Sequence, residues 1–200
     1  MDPYVEIYNQ LPTLGEAEAK FVDREATFSK LVPLLEKYDY NFGVCLVHAH
    51  CTLNPDEKMI ATGHVSEPVD ANTLAHHPVR WLDDGRPFEF TVDPTVSPPD
   101  DLITAFKALV GHIGVLGLYY SAGVRPSDDH LELEWTEGRK NITKVISKDD
   151  NNPANVETAW LPGTKNPVTM ACVLACEYWS LRSGGSHKGM RTHHVAPDAK

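Results

Sequence analysis

Apolar residues recur at helical spacing between Glu16 and Asp39, where Phe21, Phe28, Leu31, Leu35 and Tyr38 share one face. Pro33 lacks an amide donor and demands a kink or a restart within that stretch. The pattern then becomes strand-like. Phe42 to Leu53 is a nearly continuous apolar run, answered after a short polar connection by Ile60-Ala-Thr-Gly-His64-Val65, and the two read as a hairpin. Pro68 to Pro78 reads as a loop, and Val79 to Val92 as two short strands about an Asp-Asp-Gly turn. From Ser97 to Gly123 the spacing predicts one long helix. Pro98, Pro99, Asp100 and Asp101 suit its first turn, and Leu102, Phe106, Leu109, Ile113, Leu116 and Tyr120 repeat at intervals of four and three. Gly111, Gly114 and Gly117 each cost such a helix about 1 kcal/mol relative to alanine, so something must pack close to that surface.

Alternation returns at Leu131 to Trp135 and Asn141 to Ile146, a hairpin with one wet face, and Val156 to Leu161 adds a strand. Lys148 to Asn155 is a polar loop, and Val168 to Leu181 is apolar without a decisive period. The predicted fold class is α+β: a mostly antiparallel sheet with one long helix packed on it and an N-terminal helical segment over residues 1–40. A single domain over 1–200 ends in a His-rich tail or lid at 183–200, set off by Gly184-Gly185.

Strand parity singles out three histidines. On the first strand of the expected hairpin, Cys45, Val47, Ala49, Cys51 and Leu53 share one face, and His48 and His50 share the other. If Leu53 lies opposite Met59, both apolar faces agree and His64 lands opposite His48, because a one-residue slip would invert a whole strand. His48, His50 and His64 then form a three-imidazole face suited to a divalent Zn, Fe or Cu ion, with a position open for water or substrate. The same histidines also fit a hydrogen-bonded structural role. A Cys51 nucleophile with His64 as its base fails on parity, since the two would face opposite sides.

The chain carries 28 acidic against 18 basic residues, a formal charge of −10, which disfavours nucleic acid as a partner. Residues 1–20 lack a basic start followed by an apolar core, and no apolar run reaches the roughly eighteen residues of a membrane span. The expectation is a cytoplasmic protein with no membrane partner and reduced thiols. Phosphate-cradling loops, nucleophile elbows and His-Glu-x-x-His helices are absent from the sequence.

Toward the C-terminus, Cys172-x3-Cys176-x10-His187-x5-His193 has the ligand types of a structural zinc site, or holds two small core thiols beside a solvated tail. His187, next to the Gly-Gly turn, is the candidate catalytic acid or base on a lid.

The spacing Gly43-x4-His48-x-His50-x6-Glu57-x5-Gly63 is similar to the first motif of cupins, whose His-x-His and following glutamate bind a metal inside a β-barrel. The gap before Glu57 is longer than that pattern, and parity puts Glu57 in the turn or on the other face. The helix leading into Phe42-Gly-Val-Cys-Leu-Val-His48-Ala-His50 also resembles a phrase in uncharacterised small fungal proteins, which implies a setting in fungal secondary metabolism and no particular activity.

The functional expectation is a small-molecule enzyme with a His-lined divalent-metal site of Lewis-acid or O2-activating chemistry. The alternatives are a metal-independent isomerase, cyclase or dehydratase using histidine acid and base, and a non-enzymatic binding module with structural histidines. Self-association into a homo-oligomer stays open.

Overall fold

The computed structural model describes residues 3–122 and 129–173. Three helices come first: α1 (Pro3–Asn9), α2 (Leu14–Lys20) and α3 (Arg24–Glu36). A capping box in which Thr13 and Glu16 satisfy each other's amides starts α2, and the Asp23 side chain caps α3. Pro33 is accommodated inside α3 and does not split it. The chain continues through β1 (Phe42–Leu46), β2 (Glu57–Thr62), β3 (Val65–Asp70), β4 (His77–Leu82), β5 (Pro87–Thr91), α4 (Asp100–Val110), β6 (Leu116–Tyr120), β7 (His130–Glu137), β8 (Lys140–Ser147), β9 (Val156–Trp160) and β10 (Val168–Cys172).

These ten strands close into a barrel in the order β1-β6-β4-β5-β2-β3-β8-β7-β10-β9, with β9 pairing back onto β1. The β2–β5 and β7–β10 pairs are parallel and the others antiparallel. The barrel overturns the expected α+β layering of a long helix on an antiparallel sheet.

Two local departures produce the difference. The helix expected from Ser97 to Gly123 stops at Val110, since Gly111 follows it and Gly114 turns into the left-handed region at φ +73°. The residues beyond become β6, between β1 and β4. Close packing does explain Gly117, but on a strand: a Cβ there would stand 2.3 Å from the Trp81 carbonyl oxygen. The expected hairpin of residues 42–53 with 60–65 does not form either. Its first strand ends at Leu46 and pairs with β6 and β9, while β2 pairs with β3 and β5.

Helices α2, α3 and α4 cover the outside of the barrel wall. Leu31, Leu35, Leu102 and Phe106 join Trp81, Leu118 and Trp160 in one buried cluster, each such side chain stabilising the fold by about 1.5–3 kcal/mol. Helix α1 packs against β2 and β5, burying Tyr4, Val5 and Tyr8 with Met59, Phe88 and Phe90. Among the described residues no helix is long and apolar enough to cross a membrane.

With apolar side chains turned outward under the helices, the alternating polar set of several strands faces inward. Arg80 on β4 reaches Glu134 on β7 and Met170 on β10, strands that stand across the ring from it. The face of the β7–β8 hairpin expected to be wet therefore lines the barrel interior.

Candidate metal centre

The His-x-His doublet follows β1, on a segment that has left the sheet. Its backbone groups find partners in α1 and the turn after it. The Ala49 amide donates to Pro12 O, the His50 amide to the Tyr8 hydroxyl at 3.3 Å, and the Leu53 amide to Asn9 Oδ1. Arg139 fastens the end of the segment through Thr52 O while pairing with Glu57. Held this way, both imidazoles enter the barrel, each 2% exposed, with ring centroids 4.6 Å apart in an edge-to-face arrangement.

Each ring uses Nδ1 on the protein. His48 Nδ1 lies 2.9 Å from Leu46 O, an acceptor that fixes the proton on that nitrogen, and His50 Nδ1 lies 3.4 Å from Thr136 Oγ1. Both Nε2 atoms are buried without a hydrogen-bond partner among the described residues. They converge on Glu134, fully buried on β7, at 3.8 Å from His48 and 3.9 Å from His50. One ligand atom from each of the three lies within 4.8 Å of the others, so the group could hold a metal ion.

Glu134 is oriented by two donors, Thr158 Oγ1 to Oε1 at 2.8 Å and Asn141 Nδ2 to Oε2 at 3.1 Å. Beside it, Arg80 makes ion pairs with Glu89 at 3.3 Å and with Glu134 at 3.9 Å, and Glu89 Oε1 lies 3.7 Å from His50 Nε2. Glu89 Oε1 is itself buried and without a hydrogen-bond partner among the described residues.

Burial sets the protonation states. It lowers His48 and drives His50 down to about 3, with the neighbouring His48 adding to the effect, so both rings are neutral near pH 7. Burial alone would raise Glu134, but His50, Arg80, His48 and the Asn141 hydrogen bond outweigh it and bring the carboxyl to about 2. Glu89 goes the other way, raised by burial to about 6 against the pull of Arg80. Two neutral imidazoles with bare nitrogens and one ionised carboxylate are the ligand states that metal binding requires.

A cavity of about 810 Å³ adjoins this group, with Arg80, Glu89 and Asn141 in its lining. His64 stands in the exposed β2–β3 turn at the rim of that cavity, outside the His48/His50/Glu134 group, because β2 pairs with β3 and β5 and not with β1. Glu57 is engaged by Arg139, and Cys51 packs on Met59 with Sγ 3.9 Å from Sδ. Burial holds the Cys45 and Cys51 thiols at about 12, unsuited to nucleophilic work. Cys172 is buried on β10. His187, with Cys176 and His193, lies outside the described residues.

Sequence reading does not find Glu134, Glu89 or Arg80. The available signal was charge flanked by large apolar residues on strands, as in Phe88-Glu89-Phe90 and Leu131-Glu132-Leu133-Glu134. Comparison of the chain with protein-family models, curated proteins and solved structures gives no match.

Proposed function

We propose that the protein is a small-molecule enzyme that binds one divalent metal ion inside its barrel on His48 Nε2, His50 Nε2 and a Glu134 oxygen. The observation that carries this reading is the pair of buried, unpartnered Nε2 atoms converging on an ionised carboxylate. An orphaned buried polar atom costs about 1–3 kcal/mol, and one bound cation would satisfy both nitrogens together. The charge balance supports the same reading. With the histidines neutral, the carboxylates Glu89 and Glu134 outnumber the single guanidinium of Arg80.

Two histidines and one carboxylate leave coordination positions open. This is the donor set of His2Glu zinc enzymes and of non-haem iron(II) oxygenases, so iron(II) or zinc fits it best. Such an ion supplies Lewis acidity or O2-activating chemistry when bound. The His-x-His part of the cupin-like spacing agrees, with Glu134 standing where that motif would use Glu57.

Elemental analysis of untagged protein, reconstituted separately with zinc and with iron(II) and then desalted, tests the centre. The expected result is about one equivalent retained by the wild type and a residual fraction in the His48→Ala, His50→Ala double variant. Equal, negligible metal in both would overturn it. Incubating the loaded and chelated forms with a mixture of small organic molecules tests the enzymatic half, which fails if no compound is transformed by the loaded form alone.

A further inference from the structure

The cavity beside the metal group is itself informative, because its walls restrict what can enter. At about 810 Å³ it falls within the roughly 300–1,000 Å³ typical of small-molecule sites. Val65, Val79, Leu131, Val145, Ala159 and Met170 give it apolar walls. Arg80 is the only lysine or arginine among the described residues that line it, and that guanidinium is already held by Glu89 and Glu134. Glu132 joins Glu89 in that lining as a second carboxylate, with Glu134 close behind it. Among the described residues that line the cavity no uncommitted lysine or arginine meets a carboxylate or phosphate on a ligand, and the residues of the metal group are not part of that lining.

Counting the proposed divalent ion, Arg80, Glu89, Glu132 and Glu134, the formal charges cancel, so the region holds no net negative charge for an ammonium group to balance. What the wall does offer is hydrogen-bonding atoms without partners. Ser66 Oγ on β3 and Asn141 Oδ1 on β8 are buried, unpartnered among the described residues, and stand opposite each other in the β3–β8 register. Both line the cavity. Buried atoms of this kind are normally satisfied, and no described residue satisfies these two.

We infer that the cavity binds an uncharged, largely apolar small molecule bearing a hydroxyl group, which hydrogen-bonds Ser66 Oγ and Asn141 Oδ1. The charge count rests on the proposed metal centre; the apolar walls and the Ser66–Asn141 edge do not.

Three size-matched fluorescent probes test this: 1-pyrenemethanol, 1-pyrenecarboxylate and 1-pyrenemethylammonium, titrated into zinc-loaded protein whose metal content has been measured. The alcohol is expected to bind at least tenfold tighter than either charged probe. Ser66→Ala should weaken the alcohol about fivefold while leaving zinc content unchanged, and Val145→Trp at the exposed rim should weaken all three. Preference for the carboxylate or ammonium, or absence of binding by zinc-loaded protein, overturns the inference. If zinc is not retained and the alcohol is still preferred and still sensitive to Ser66→Ala, the cavity assignment holds and the metal centre falls. If zinc is not retained and no preference for the alcohol appears, both fall.

Discussion

The chemistry of the His48/His50 pair is set by which nitrogen each ring commits to the protein. Leu46 O and Thr136 Oγ1 occupy the Nδ1 positions, and the second nitrogens are left pointing at Glu134. The carboxylate in turn depends on Thr158 and Asn141, the partners that fix which oxygen faces the rings. Thr158 is the cleaner probe, because valine keeps its shape and removes only the hydroxyl. Thr158→Val should lower metal affinity roughly 10–100-fold, read by competition with a chromophoric chelator. Urea unfolding of the metal-free protein should show a loss of about 1–2 kcal/mol. A variant with unchanged affinity would mean that Glu134 does not ligate through the oxygen Thr158 holds. Tyr8→Phe acts one step further out: it strips the acceptor from the buried His50 amide and should cost about 1–3 kcal/mol in the same unfolding experiment.

At the scale of elements, the decisive stretch is residues 111–120, where helical periodicity and strand pairing compete. As a helix, Gly117→Ala would stabilise by up to about 1 kcal/mol. On β6, the new Cβ would stand 2.3 Å from the Trp81 carbonyl and 3.0 Å from Val47 Cγ2. Backbone cannot yield as a flexible side chain does, so the expected outcome is a loss of at least about 3 kcal/mol, measured as a fall in the urea midpoint. The two readings differ in sign, which makes this substitution diagnostic. The same competition explains what the sequence reveals. Alternation in 131–135 and 141–146 marks β7 and β8, and the apolar character of 156–161 marks β9. The His-x-His pair is visible by its spacing, although the rings share a direction through loop geometry and not through strand parity. Closure of the barrel is not visible, since it depends on pairings such as β9 with β1, far apart in the chain. Glu134 is hidden for the same reason. Local alternation shows a polar face, and only closure decides whether that face meets water or the interior.

For the whole molecule, a barrel lined with ionisable groups makes stability depend on pH in a predictable direction. His48 and His50 are held neutral by burial, so their folded pKa values lie below the ordinary 6.5. Below pH 6.5 the unfolded chain therefore binds protons that the folded chain refuses, and stability must fall as the pH drops. For His50 that window runs from 6.5 down to about 3, with a slope of up to about 1.4 kcal/mol per pH unit. Glu134, depressed from 4.5 to about 2, adds a loss of the same sign at the acid end of that range. Glu89 opposes them: raised from 4.5 to about 6, it takes up its proton in the folded state first, so between those values it favours the fold as the pH falls. Metal-free protein should accordingly lose stability from pH 7 downward, with the slope partly offset between about 6 and 4.5 and steepening again below. The offset should vanish in Glu89→Gln, and His50→Gln should flatten the limb between pH 7 and 6. Urea midpoints collected at half-unit intervals from pH 7.5 to 4 would resolve both changes. Saturating zinc should raise the urea midpoint by a nearly constant increment across that range, because burial already keeps the folded imidazoles free of protons, and midpoints unaffected by zinc would count against the ion being held there.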